Sequence, residues 1–207
     1  ANLAAAFAQG GHRVVVIDAD LRRPRLASMF EKQNAPGLTD VLLGDVKLSE
    51  AVVTVTPDLD LLPAGSIPPN PSELLSTVRS AAVVSALAES YDLVLIDCSP
   101  VLPATDALIV SRLANATILV TNARRSKRGA IRRTLEQLGH VGAPILGLVL
   151  NAAPAGGAYG YGYGYTHDSG PRSLGSRRRE AAVPTGSDEL AVHANPVPLV
   201  PAEGGSD

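Results

Sequence analysis

Aspartates follow two apolar runs of this sequence, and they are the residues whose type and spacing best fit chemistry. Asp18 and Asp20 come directly after residues 14–17, and Asp97 follows residues 93–96. Carboxylates at such positions can hold Mg²⁺ and its water, or accept a hydroxyl proton during phosphoryl transfer. An ordinary strand-to-loop turn also favours Asp, so each run taken alone leaves both interpretations open.

Further polar residues could act beside these carboxylates. If the two runs pair in a parallel sheet, Asp18 and Asp97 reach the same edge and can share one metal ion. Arg22 begins a cluster of arginines whose forked donors suit phosphate or an acidic partner, although such arginines also form ordinary solvated ion pairs. Asn151 ends the last apolar run, where its amide could bind an adenine edge or simply close the strand.

The far end of the sequence carries a different motif, in which tyrosine alternates with glycine. The four tyrosines are Tyr159, Tyr161, Tyr163 and Tyr165. A Gly-rich backbone exposes their hydroxyls to any active site that can thread it, and phosphorylation would add about 1.5 to 2 negative charges at each. A weakly self-associating segment is the other interpretation of the same composition.

The acidic residues need elements that bring them together, and the apolar runs predict an α/β fold. The runs are short and nearly continuous, as expected for strands buried on both faces of a parallel sheet. Between them, residues 72–89 and 126–138 have the apolar spacing of helices. We therefore predict a doubly wound, mainly parallel sheet flanked by helices. The predicted strands are residues 14–17, 59–62, 93–96, 117–121 and 145–150.

Composition divides the chain into two parts. Residues 1–151 are long enough for one domain with a sizeable core. Residues 152–207 contain ten Gly, six Pro and few branched apolar residues, so they bury too little surface to offset the entropy of ordering. We predict a folded domain over 1–151 and a disordered tail over 152–207 that carries the tyrosines.

Charge and cysteine content exclude several classes of function. The net charge of −2 gives no general attraction to nucleic acid, and an aromatic content of 3% leaves few side chains for stacking on bases. We therefore expect no nucleic-acid partner. The single Cys98 excludes an internal disulfide and favours a reducing cytosol. No apolar run reaches the ~18 residues needed to span a bilayer, so we expect membrane association only through a partner or a segment before Ala1.

Taken together, these motifs resemble the cytoplasmic domain of bacterial tyrosine autokinases that regulate capsular and exopolysaccharide assembly. Those kinases are relatives of the MinD and ParA ATPases, with a deviant Walker P-loop fold. Residues 16–24 are similar to the family's Walker A′ motif, and residues 93–100 are similar to its Walker B motif. The order of the remaining elements also agrees, and these are residues 68–75, 101–107, 147–151 and the tyrosine cluster 159–165.

The resemblance implies transfer of the γ-phosphate of ATP, with Mg²⁺, to tail tyrosines of a neighbouring subunit in a homo-oligomeric ring. It implies that Asp18 is the base and metal organiser, that Asp20 is a second catalytic carboxylate, and that Asp97 is a Mg²⁺ ligand. Arg22 and Asn151 would contact ATP. The acceptors would be Tyr159, Tyr161, Tyr163 and Tyr165. A membrane-anchored polysaccharide co-polymerase, separate or fused upstream, would activate the kinase at the cytoplasmic face of the plasma membrane.

The main departure of the sequence from the family pattern concerns one motif. A Gly-rich loop ending in Gly-Lys-Ser or Gly-Lys-Thr does not occur in these 207 residues, and the chain begins inside a helical pattern. We therefore expect an incomplete P-loop domain, truncated at its N-terminus and inactive by itself. Two alternatives stay open: a ParA/MinD-type positioning ATPase, which would activate water with the same acids, and a non-catalytic adaptor with a phosphorylatable tail.

Overall fold

The computed structural model of the chain describes residues 1–153. The tyrosine cluster at 159–165 and nearly all of the predicted tail lie outside the described residues. The division of the chain at residue 151 and the disorder of the tail therefore stay predictions.

All five predicted strands are confirmed, and one further strand is present. The predicted strands are β1 (Val14–Asp18), β3 (Leu59–Leu62), β4 (Leu93–Asp97), β5 (Thr117–Asn122) and β6 (Ile145–Asn151). The additional strand is β2 (Val53–Thr56), whose Val-Thr-Val-Thr sequence has the alternation of a half-buried strand. The sequence signal for β2 was present, but four residues at a sheet edge are a weak pattern.

The strands form two sheets in which most of the pairing is parallel. A four-stranded sheet has the order β2-β3-β1-β4, with β1 parallel to both of its neighbours and β2 antiparallel to β3. β5 and β6 form a separate parallel pair. The α/β class with a mainly parallel arrangement is confirmed, although the strands of residues 1–153 do not form one continuous sheet.

The core lies on both faces of β1, which is buried along its whole length. Because side chains alternate across a strand, Val15 and Ile17 pack into one apolar cluster, with Leu38, Leu75 and other residues from helices on that face. Val14 and Val16 pack into the other cluster. β6, by contrast, is exposed at every residue. The first sheet therefore carries the packing that holds the aspartates in place.

Eight helices accompany the strands within residues 1–153, and none is long and apolar enough to cross a membrane. They are α1 (Asn2–Gln9), α2 (Leu26–Met29), α3 (Leu38–Leu43), α4 (Leu48–Ala51), α5 (Pro71–Leu75), α6 (Val78–Ser90), α7 (Asp106–Ser111) and α8 (Arg128–His140).

The predicted single helix over 72–89 is wrong, because the structure has two helices there. The hydroxyls of Ser76 and Thr77 donate to the carbonyl oxygens of Glu73 and Leu74, at 2.7 and 2.9 Å. Such bonds give the backbone an alternative to the helix, and Thr77 adopts an extended conformation before α6 starts. The break fixes α5 as a separate short helix, with Pro71 in its first turn.

The loop after β3 is held against the start of α3 by a close approach of two backbones. The amides of Leu38 and Thr39 donate to the carbonyl oxygens of Pro63 and Ala64, at 2.7 and 2.9 Å. A Cβ added to Gly37 would lie 2.3 Å from the Gly65 nitrogen and 2.4 Å from the Pro63 oxygen. Only glycine fits at residue 37 without moving the backbone.

We expect Gly37→Ala to lower the free energy of unfolding by about 1–3 kcal/mol, because the new methyl group meets backbone rather than a flexible side chain. Gly139→Ala is the matched control, since nothing lies within 4 Å of a Cβ there and the residue is in α8. We expect the control to stabilise the chain by roughly 0.5–1 kcal/mol. Urea denaturation measures both, and equal effects would contradict the close approach.

Candidate functional site

Asp18 and Asp97 lie side by side at the carboxyl edge of the four-stranded sheet. β1 and β4 are parallel, and their register pairs Asp18 with Asp97. The amide of Ala19 donates to the backbone oxygen of Asp97 at 2.7 Å, which continues the pairing past the strand ends. The two apolar runs therefore deliver two carboxylates to one place, at the edge where open α/β sheets bind their ligands.

The Asp18 carboxylate is buried and organises the loop that follows β1. Its oxygens accept the backbone N–H groups of Asp20, Arg25 and Leu26, at 3.2, 3.1 and 2.9 Å. Burial raises the pKa of Asp18, and the three hydrogen bonds offset only part of that rise. Asp18 is therefore a stronger proton acceptor, when ionised, than a carboxylate in water.

The Asp97 carboxylate has a different environment. No hydrogen bond from the described residues reaches its side chain, and Asp97 stands at the exposed end of β4. Partial desolvation by surrounding protein atoms, followed by the negative charge of Asp18, raises the pKa of Asp97. Its oxygens are consequently free to accept a ligand.

The carboxylate pair suits Mg²⁺. Within residues 1–153, no three His, Cys, Asp or Glu side chains form a cage for a metal ion. Mg²⁺ does not need one, because it commonly takes one or two protein carboxylates and completes its shell with water and substrate phosphate. The unshared oxygens of Asp97 beside Asp18 match that donor set.

Asp20, in the loop after β1, is a third carboxylate whose charge acts on Asp97. Its Oδ1 accepts the backbone N–H groups of Arg22 and Arg23, at 3.3 and 3.1 Å. The carboxylate is thus held by the loop that it begins, two residues after Asp18 in the chain. The structure brings together three of the predicted site residues, Asp18, Asp20 and Asp97.

Arg22 points its guanidinium at a fourth carboxylate, that of Asp106 in α7. Nε and Nη2 of Arg22 lie 2.7 and 3.2 Å from the two oxygens of Asp106, and Nη2 also donates to the Ser72 hydroxyl at 3.1 Å. Burial alone would raise the pKa of Asp106, but hydrogen bonds from Arg22 and Ser72 keep that pKa below its ordinary value. Arg22 therefore neutralises Asp106 and not the acids of the loop.

Sequence reasoning missed most of this polar network. Ser72 donates to Asp106 through a short hydrogen bond, and Ser99 donates to it at 3.4 Å. Thr105 stands at the N-cap position of α7 but makes no side-chain cap bond, since its hydroxyl faces Ser72 at 3.3 Å. A helix-start pattern explains Thr105 and Asp106 adequately in a sequence, so nothing there indicated contacts to residues 34 and 84 positions away.

Asn151 belongs to the second sheet, whereas Asp18 and Asp97 belong to the first. Asn151 ends β6, in the second sheet, where it is exposed and its Oδ1 accepts the N–H of Ala152 at 2.7 Å. The four tail tyrosines lie beyond residue 153. Cys98 is half-buried, and desolvation raises its pKa to about 12, so the thiol stays protonated and is a poor nucleophile.

The sequence is similar to those of known proteins. A family model described as an AAA domain matches residues 1–140. EpsB of Ralstonia nicotianae is 44% identical over 153 residues, which are 73% of this chain and 20% of EpsB. CapB of Staphylococcus aureus is 32% identical over 155 residues, which are 74% of this chain and 68% of CapB.

Solved structures give the same result. The kinase domain of the Escherichia coli tyrosine kinase ETK superposes with a TM-score of 0.72 at 33% identity, covering 79% of this chain and 64% of that domain. The septum site-determining protein MinD of Pyrococcus horikoshii, complexed with Mg-ADP, has a TM-score of 0.60 at 28% identity and covers 72% and 62%.

The fold and the matching family model define the chain as an AAA domain of the P-loop NTPase type. Within that class it belongs to the family of bacterial tyrosine kinases, as its resemblance to them implied. The chain spans about a fifth of the length of EpsB.

We expect Asp18→Asn to lower the pKa of Asp97, because the substitution removes the nearest negative charge. Asp20→Asn should lower it by less, and Asp45→Asn, at an exposed carboxylate outside the pair, should leave it unchanged. Carbon-13 NMR of the carboxyl carbons during a pH titration measures these values. An Asp97 that titrates at 3.8 in the unsubstituted protein contradicts the coupling.

The same raised pKa values set a pH dependence of stability. Above 3.8 and up to the raised values, the folded chain binds more protons at Asp18 and Asp97 than the unfolded chain does. These two groups therefore make folding less favourable as pH rises through that window. The slope of the free energy of unfolding against pH should become less negative there in Asp18→Asn.

Proposed function

We propose that the protein is a tyrosine autokinase that transfers the γ-phosphoryl group of ATP to tyrosine hydroxyls. The observation that carries the proposal is the pair of adjacent carboxylates, Asp18 and Asp97, with raised pKa values at the carboxyl edge of the sheet. Membership of the family of bacterial tyrosine kinases supports it. Positioning and charge neutralisation would supply most of the rate.

The three acids would divide the work. Asp97, whose oxygens receive no hydrogen bond from the described residues, would be a ligand of Mg²⁺, and Asp18 would complete the metal site. Asp18 would also take the proton of the tyrosine hydroxyl, for which burial makes it a better acceptor. Asp20 would be the second catalytic carboxylate. Mg²⁺ would neutralise the charge that develops on the phosphate oxygens.

Arg22 and Asn151 are proposed to contact ATP. The Arg22 side chain is 44% exposed and borders a cavity of about 330 Å³ that Thr105 and Gln137 also line. Its Nη1 makes no hydrogen bond within the described residues, so this nitrogen can face a phosphate. Within residues 1–153, the side-chain amide nitrogen of Asn151, at the exposed end of β6, makes no hydrogen bond.

The acceptors are proposed to be Tyr159, Tyr161, Tyr163 and Tyr165 of a neighbouring subunit in a homo-oligomeric ring. We propose a membrane-anchored polysaccharide co-polymerase as the activator and the cytoplasmic face of the plasma membrane as the location. Phosphorylation there would regulate the polymerisation and export of capsular or exopolysaccharide. These proposals rest on the resemblance to the tyrosine autokinases and on the similarity to EpsB and CapB.

A MinD-type ATPase is the second candidate, because a MinD structure complexed with Mg-ADP has the same fold at 28% identity. The same carboxylates would then activate water in place of a tyrosine hydroxyl. Phosphate release from ATP without phosphotyrosine would identify this activity.

We expect the protein, in its full natural length, to label its own tyrosines when it is incubated with ATP and Mg²⁺. Asp18→Asn should reduce labelling by roughly 10²-fold or more, as expected for loss of a general base. Changing the four tail tyrosines to Phe should abolish it. An anti-phosphotyrosine blot and mass spectrometry of the tail measure both effects.

Tyr91→Phe is the matched control, because Tyr91 is the one tyrosine outside the cluster. Its hydroxyl donates to Asp60 at 2.6 Å, and burial raises its pKa to about 12, so it is not offered for phosphorylation. Labelling should persist in this variant. Labelling that survives Asp18→Asn, or that maps to Tyr91, would contradict the proposal.

A further inference from the structure

Asp106 is the buried carboxylate for which the proposed chemistry has no use. It is fully buried at the start of α7, where its oxygens accept from Arg22, Ser72 and Ser99. An ionised carboxylate out of water is costly unless it is paired and hydrogen-bonded. The network satisfies that requirement, but a packed apolar residue would avoid the cost altogether, which raises the question of what the charge achieves.

The charge of Asp106 helps to hold Arg22 in place. Its side chain is fixed by Asp106 and by Ser72 of α5, through Nε and Nη2. Its backbone N–H donates to Oδ1 of Asp20 at 3.3 Å. One residue therefore connects the buried carboxylate of Asp106 in α7 to the half-buried carboxylate of Asp20 in the loop.

The connection has a defined geometry because it uses arginine. Two nitrogens of the planar guanidinium meet the two oxygens of Asp106, and such paired contacts restrict direction as well as distance. A lysine at residue 22 would keep the charge but could not make the paired contact. The adjacent N–H of Arg23, which also donates to Asp20, depends on the same loop conformation.

We propose that Asp106 is a positioning residue that acts through Arg22 to set the orientation of the Asp20 carboxylate at the site of phosphoryl transfer. Ser72 couples α5 to the same contact. The part that concerns catalysis rests on the proposed function, whereas the coupling of Asp106 to the loop does not. Asp106 itself touches neither substrate nor metal.

The first experiment measures the coupling in the 207-residue chain by nitrogen-15 NMR. In Asp106→Asn, we expect the Arg22 Nε–H signal to lose its protection from solvent exchange, and the amide signals of Arg22 and Arg23 to shift. Asp92→Asn is the control, since it breaks the Arg13–Asp92 ion pair at the opposite end of the same two strands. Unchanged Arg22 and Arg23 amides in a folded Asp106→Asn chain would overturn the proposal.

The second experiment measures kinetics in the full natural protein. Asp106→Asn should lower kcat for autophosphorylation roughly 10- to 100-fold, as expected when a catalytic group is misplaced. KM for ATP should stay within about twofold, because a transition-state interaction is lost and not binding. Combined with Asp20→Asn, Asp106→Asn should have little further effect, whereas an independent structural role would give additive losses.

The two experiments separate the two ideas. If the full natural protein makes no phosphotyrosine, the proposed function is wrong, and the NMR result alone decides the coupling. If the full natural protein is active and its Asp106→Asn variant is folded and equally active, the positioning role is wrong and the proposed function stands.

Discussion

The burial of the Asp18 carboxylate at the end of β1 is the constraint on which the rest of the site depends. A charge at that depth needs donors, and the backbone supplies three of them from Asp20, Arg25 and Leu26. The loop after β1 must therefore wrap back over the strand end, and this brings the start of α2 to it. β1 lies inside its sheet, between β3 and β4, and its register with β4 places Asp97 beside the buried charge of Asp18.

No arginine side chain pairs with these acids among the described hydrogen bonds and ion pairs. Asp18, Asp20 and Asp97 lie together, and Arg22 directs its guanidinium to Asp106 instead. The negative charge of the group is thus left without a side-chain cation among the described hydrogen bonds and ion pairs. Burial raises the pKa of both carboxylates, and the charge of Asp18 adds to the rise at Asp97. A divalent cation bound between them would offset that charge.

Burial explains why the sequence predicted β1, whereas β6 was predicted from the same kind of apolar run although the structure leaves it exposed at every residue. The run before Asp18 is apolar at four successive positions because both faces of β1 are covered, and so it was recognised as a strand. The two helices between residues 71 and 90 were not separated, since their break depends on hydroxyls of Ser76 and Thr77 that are compatible with a helix in any sequence pattern. Local bonds of this kind have no periodicity to read.

The candidate site likewise has a part that could be predicted from the sequence and a part that could not. The adjacency of Asp18 and Asp97 follows from one rule about parallel strands, so it could be predicted. The partner of Arg22 could not be predicted, because Asp106 lies 84 residues away and reaches it only through the packing of α5 and α7 around the loop. Contacts between elements that are not paired strands carry no register, and a single sequence gives no other means of finding them.

The state of the acids also bears on which hydroxyl they would activate. A tyrosine hydroxyl has a pKa near 10 and bulk water one of about 15.7, so proton transfer to the same carboxylate is about 8 kcal/mol less unfavourable for tyrosine. The raised pKa of Asp18 reduces the pKa difference that remains between this carboxylate and the hydroxyl. Before any effect of metal or position, a buried aspartate of this kind is therefore better matched to a phenol than to water. The chemistry of the carboxylate is thus compatible with the proposed tyrosine acceptors.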